Sequence, residues 1–282
     1  MARVKVLAGN DPAARVNAPF PGDDCMSRAA VTAAIAASAL VVAQPVSAAP
    51  HPGGDVVLCG QLQHIVVSDP LQHSSVIKND NFGGTGECLL NHNLGTNYQV
   101  LSSAADSKTN DVMAFPEIYT GCSWGICSPG TTLPLPLSQV GQPQATWVTT
   151  QNATGRWDAA FDIWFNRTPV MDGQATGAEI MIWLNARRYP VPRGTRIVWE
   201  DGQQWYLQHW IAHRGGARWR YIQFRRVHPT WRVDQLRLLP FIQRAETRTW
   251  IKPEWWLLNI EAGFEIWQGG TGLATQFFQA QP

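Results

Sequence analysis

Apolar and polar positions alternate along most of the chain in short runs, and turn residues separate the runs. The breaks are Asp69-Pro70, Gly83-Gly84, Ser128-Pro129-Gly130, Asp172-Gly173, Asp201-Gly202 and Gly215-Gly216. Between them Val, Ile, Tyr, Phe and Trp are frequent. A period of two with regular breaks describes many short strands, so an all-β sandwich or barrel is expected. One segment departs from the pattern. Residues 240–248 open on Pro240, which suits the first turn of a helix, and one short helix is predicted there. No internal repeat and no low-complexity linker divides residues 49–282, so they are read as one domain.

Three of the predicted strands carry acids inside their apolar runs. Side chains alternate between the two faces of a strand. In Gly177–Asn185, Ile180, Ile182 and Leu184 share one face, and Glu179, Met181, Trp183 and Asn185 share the other. In Trp157–Phe165, Phe161, Ile163 and Phe165 form the apolar face, opposite Asp158, Asp162 and Trp164. In Asn259–Trp267, Ile260, Phe264 and Ile266 oppose Glu261, Gly263, Glu265 and Trp267. The design repeats: an aliphatic face for a core, and a second face where acids stand near tryptophans. A single Glu in a strand is ordinarily solvent-facing, and tryptophans in sandwiches more often fill the core. Three such faces on one sheet would make a groove of rings with acids at its floor.

The start of the chain reads differently. Residues 26–48 have Arg28 as a short positive region, an apolar run from Ala29 to Ala43, and the small residues Val46-Ser47-Ala48. That is the layout of a secretory signal peptide, with an apolar run too short to span a bilayer comfortably. Residues 1–25 then form an extension, or translation begins at Met26. No later stretch is long and apolar enough to cross a membrane as a helix. A secreted, extracellular product is expected. Four cysteines follow the leader, Cys59, Cys88, Cys122 and Cys127, and an even count in a secreted chain reads as disulfides. Cys122 and Cys127 bracket a short loop, which favours local pairing and leaves Cys59 for Cys88.

Charge excludes other classes. Lys and Arg number 22 against 21 Asp and Glu, a formal net charge of +1. Proteins that live on nucleic acid or acidic membranes carry a large basic excess, so neither partner is expected. Residues 187–248 do hold 13 Arg and only four acids, interleaved with rings, and read as a solvated strand face. No histidine has zinc-finger spacing, and His209 and His213 in a strand lie about 13 Å apart, too far to share an ion. Neither a metal nor an organic cofactor is expected.

Rings beside paired acids suit sugar chemistry. Sugars have apolar CH faces that indoles stack on. Breaking a glycosidic bond takes two carboxyl groups of different protonation, one to donate a proton and one as nucleophile or base. Glu179, Glu265 and Asp162 supply that set.

The sequence resembles glycoside hydrolase family 12, the small secreted endo-β-1,4-glucanases. The resemblance rests on Val76–Cys88, Pro116–Gly130, Phe161–Trp164, Glu179–Trp183 and Ala262–Leu273, in that order. It implies a β-jelly roll of two stacked antiparallel sheets, a cleft across the concave sheet and one helix outside. It implies retention of configuration, with Glu179 as nucleophile, Glu265 as general acid/base and Asp162 as the nucleophile's partner. Asn79, Phe82, Met181, Trp183, Trp164 and Trp267 are then substrate-binding, and Cys59–Cys88 and Cys122–Cys127 the disulfides. Phe82 stands where the family places a tryptophan. The substrate implied is a β-1,4-linked glucan of the cellulose type; a monomer is expected, although no residue pattern fixes the oligomeric state. A xyloglucan-specific relative, or a carbohydrate-binding sandwich without catalysis, are the alternatives.

Overall fold

The strands, numbered along the chain, are β1 Val56–Leu58, β2 His64–Ser68, β3 Ser74–Asp80, β4 Cys88–Asn91, β5 Tyr98–Ser102, β6 Ala105–Asp106 and β7 Phe115–Ser123. Next come β8 Ile126–Cys127, β9 Leu135–Pro136, β10 Gln144–Gln151, β11 Gly155–Asn166, β12 Ala178–Arg187, β13 Arg196–Glu200 and β14 Gln203–Arg214. The last are β15 Ala217–Arg226, β16 Arg232–Arg237, β17 Trp256–Gly263, β18 Ile266–Gly269 and β19 Leu273–Gln281. The computed structural model describes residues 54–282. The expected leader and the extension before it lie outside the described residues.

Two sheets stack. The smaller has the order β1-β4-β5-β19-β10-β16, and the larger runs β13-β14-β15-β12-β11-β17-β7-β3-β2 with four short strands attached. The aliphatic faces read from the alternation form the core between them: Phe161, Ile163, Phe165, Ile180, Ile182, Leu184, Ile260, Phe264 and Ile266 all belong to one buried cluster. This is the jelly-roll sandwich. One pairing departs from the all-antiparallel expectation, because β12 and β15 run parallel.

Among the described residues the one α-helix, α1 Leu239–Thr247, has proline in its first turn. It buries Phe241, Ile242 and Ala245. Phe241 meets Trp205 and Phe224 edge-on, each with centroids 5.0 Å apart. The helix thereby covers the core-side face of β14 and β15. Both disulfides, Cys59–Cys88 and Cys122–Cys127, are formed. His209 sits in strand β14 and stacks on Trp250.

The large sheet is rolled. In its strand order β14 and β3 are six ladders apart, about 29 Å on a flat sheet. Yet the Arg214 guanidinium at the end of β14 lies 4.0 Å over the Phe82 ring, just past β3. The margins of the sheet therefore curl towards each other over the face that looks away from the core.

Candidate active site

That second face is organised in transverse rows by the strand register. Asn259, Trp164, Glu179, Tyr221 and Trp210 face one another across successive strands. The next row is Tyr119, Glu261, Asp162, Met181, Gln223 and Gln208. The third is Glu117, Gly263, Ala160, Trp183, Arg225 and Tyr206. Period two on each strand and this register bring Asp162 and Glu179 into diagonal contact range.

Glu265 arrives by another route. The expected strand Asn259–Trp267 is broken: β17 ends at Gly263 and β18 starts at Ile266, leaving Phe264 and Glu265 in a step between strands. The step crosses from the middle of β11 to its start, where Ile266 pairs with Trp157. Gly263 permits it, since a Cβ there would meet the Pro116 carbonyl at 2.5 Å and the Phe115 ring at 3.0 Å. The Glu265 backbone is tied to Asp158 in both directions, at 3.0 and 3.3 Å.

Glu179, Asp162 and Glu265 share one buried neighbourhood and act on one another electrostatically. Their surroundings differ. Burial pushes the Glu179 carboxyl up to about 8; a hydrogen bond from the Trp219 indole N–H to its Oε2 works against that, and the nearby Glu265 adds to it. Glu265 is held well above the usual carboxylate range by burial and then by Asp158, with no donor pulling it down. Its Oε2 has no hydrogen-bond partner. Asp162 is also held well above its usual range, by burial and then by Glu179, although Trp164 donates its indole N–H to Oδ2 at 3.0 Å. Environment thus splits the pair Glu179 and Glu265: an indole N–H favours the charged form of Glu179, whereas burial and Asp158 both favour the protonated form of Glu265.

The tryptophans do not lie open as a floor. Trp183 is 1% exposed and Trp267 4%, and with Met181, Ala160 and Tyr221 they form a small buried cluster. Trp183 keeps one unspent polar atom, a buried Nε1 with no partner. Trp267 donates to the Asn110 carbonyl, and Arg156 lies over both the Trp267 and the Tyr189 ring. Trp164 is half-buried and packs on Trp219 at 5.6 Å.

Asn79 and Phe82 differ from expectation. Asn79 alternates to the core side of β3, is fully buried, and gives its amide hydrogens to the Leu58 and Glu87 carbonyls. It is a clamp between strands and does not reach the acids. Phe82 is near the rolled margin, but Arg214 covers its ring.

Two groups escaped the sequence reading. Trp219 holds Glu179. Its run, Ala217–Arg226, interleaves rings with arginines and lacks an aliphatic face to mark it, although alternation does put Trp219, Tyr221, Gln223 and Arg225 together. The second group is a further acid cluster on the same sheet face. Lys78, fully buried, pairs with Glu117 at 2.5 Å and Asp80 at 3.6 Å and donates to Ser123 at 3.1 Å. Glu261 adjoins Glu117 and accepts from Asn259 at 2.8 Å.

Comparison with known proteins bears on this arrangement. The sequence pattern of glycosyl hydrolase family 12 matches residues 81–281. Endoglucanase S of Pectobacterium parmentieri is 28% identical over 171 residues, and the match covers 59% of this chain and 64% of that protein's length. The probable cellulase Cel12b of Mycobacterium tuberculosis is 28% identical over 155 residues, 54% of this chain and 98% of that one. Among solved structures, endoglucanase cel12A from Rhodothermus marinus is 35% identical with a TM-score of 0.72, covering 80% of this chain and 98% of its own.

Proposed function

The chain belongs to glycosyl hydrolase family 12, and from that membership we propose that it is a retaining endo-β-1,4-glucanase working by double displacement. Glu179 attacks the anomeric carbon, a C–O bond forms to its carboxylate, and the glycosidic C–O bond breaks. Glu265 gives its proton to the departing oxygen. In the second half, Glu265 takes a proton from water, the hydroxide attacks the same carbon, and Glu179 is released. The observation that carries this reading is the asymmetry of the pair. Glu179 has the Trp219 N–H to support its charge, and Glu265 has burial and Asp158 to keep its proton. Two carboxyls whose surroundings separate their protonation are what such chemistry needs.

Asp162 sits diagonal to Glu179, and burial and the Glu179 charge raise its carboxyl well above the usual range, so it acts as a positioning residue for the nucleophile. The glucan would lie across the face that carries Glu179 and Asp162, with Trp183 packed beneath it. Export of the protein fits the two disulfides, which persist in oxidising compartments. The names of the relatives above, endoglucanase and cellulase, support a β-1,4-glucan as substrate.

The test is proton NMR of the first product formed from soluble β-glucans, with xyloglucan in the same panel. Retention predicts the β-anomer first, from an unbranched glucan. An α-anomer, or turnover of xyloglucan alone, would overturn the proposal.

A further inference from the structure

We propose that a pocket at the seam of the two sheets, lined by Thr149, Thr150, Gln151, Asn152, Asn185 and Trp231, is a second binding site for a neutral β-glucan chain. The inference rests on the reading of the protein as a β-glucanase, and extends it to a place the reaction does not use. The pocket has a volume of about 370 Å³, within the range of small-ligand sites.

Its chemistry selects the ligand class. None of the six lining residues is charged, so nothing there recognises an ionic group. Trp231 is 56% exposed, and among the described residues no aromatic ring or cation stacks on it. Among the other exposed tryptophans, Trp210 on the large sheet is stacked on Tyr221 at 4.2 Å, while Trp199 on the same sheet is exposed but does not line this pocket. An unstacked indole beside amides and hydroxyls presents a flat apolar surface with hydrogen-bonding groups at its rim. A pyranose ring has the complementary surface, with apolar CH faces and a rim of hydroxyls.

The polar groups are also held in place. Gln151 donates to Thr149 Oγ1 at 2.8 Å and to the Thr230 carbonyl at 3.2 Å, and accepts from Asn185 Nδ2 at 2.6 Å. Asn185 Oδ1 accepts from the Ala186 N–H at 2.8 Å. Thr149 donates through both its N–H and its hydroxyl to the Trp231 carbonyl, at 2.9 and 2.8 Å, which fixes the backbone under the indole. Amides already oriented lose little freedom on binding. Asn152, exposed on the turn after β10, keeps its whole carboxamide for a ligand.

Location makes the site a companion of the carboxyl site. Asn185 lies six residues beyond Glu179 along β12, about 20 Å away, and after a bulge that follows Trp183 it turns to Gln151 of the small sheet. A sugar being cleaved cannot fill both places, whereas a polymer, or a second strand of one, can.

The experiment is affinity electrophoresis of the full chain, carrying Glu179→Gln to stop hydrolysis, through gels containing a soluble β-1,4-linked glucan. Adding Trp231→Ala should weaken retention about 3- to 10-fold. Trp231→Phe, which keeps a ring, should recover most of it, and Asn152→Ala should fall between. Retention of the Glu179→Gln parent that Trp231→Ala leaves unchanged would overturn the second site alone. A parent that no β-glucan retains would instead contradict the glucanase reading, and the second site with it.

Discussion

One face of the large sheet carries two clusters of buried acids, and they are built on opposite principles. In the first, Lys78 stands among Glu117, Asp80 and Glu261, and its ammonium is matched to Glu117 at 2.5 Å and Asp80 at 3.6 Å. In the second, Glu179, Asp162, Glu265 and Asp158 have no buried cation paired with them. Indole N–H groups hold two of them, and Asp162 Oδ1 and Glu265 Oε2 are left without hydrogen-bond partners. A buried polar atom without a partner costs about 1–3 kcal/mol. The comparison teaches that burial of acid does not by itself mark a site: what separates the two clusters is the buried Lys78, and Glu87, elsewhere in the fold, is fully buried with neither carboxyl oxygen partnered.

The largest expected effect breaks the uncompensated cluster. Glu179→Gln should lower kcat at least about 10³-fold in reducing-sugar assays on a soluble β-glucan. In urea unfolding at pH 8 the same variant should be as stable as the parent or more stable, because an uncompensated buried carboxyl has been removed. Lys78→Met does the reverse to the other cluster. It leaves Glu117 buried without its cation, and should lower unfolding free energy by about 3–5 kcal/mol in the same urea titration.

Trp219→Phe sharpens the contrast. It removes the donor that favours the charged form of Glu179, so the Glu179 carboxyl moves further up. The acidic limb of the kcat/KM profile should shift to higher pH by about one unit. An unmoved limb with lowered kcat would mean that Trp219 acts only as packing.

Both clusters contribute to the smallest effect. Glu179 is pushed up to about 8, Asp158 and Glu261 to about 7, and Asp80 to about 6, each chiefly by burial. In the unfolded chain these groups ionise near their ordinary values, about 4. Between those values and 6–8 the folded protein binds more protons, so stability present at pH 4 is lost as pH rises. The melting temperature of the unligated protein should fall steadily from pH 5 to pH 8.

The core was legible because its signal is local. Ile180, Ile182 and Leu184 alternate with polar neighbours, and each is fully buried between the sheets. Pro240 marked the helix for a similar reason. The site was legible only where it rides on those same strands, as Glu179 and Asp162 do. Glu265 was read on the face of Glu261, but the chain leaves β17 before reaching it, a step that depends on Gly263 passing close to Pro116. Trp219 reaches Glu179 through the parallel pairing of β12 with β15, which no local pattern encodes. Lys78 joins Glu117 across β3 and β7 in the same non-local way. Asn79 shows the converse. Its alternation with Lys78 and Asp80 puts it on the core side, and motif resemblance alone placed it beside the sugar.

The central claim is that Glu179 becomes covalently bonded to the sugar. An activated 2-deoxy-2-fluoro cellobioside, whose fluorine slows release of the intermediate, would trap it, and peptide mapping by mass spectrometry would locate the bond. One adduct on the peptide containing Glu179 is predicted; an adduct on Glu265, or turnover with no adduct at any time, would contradict the account.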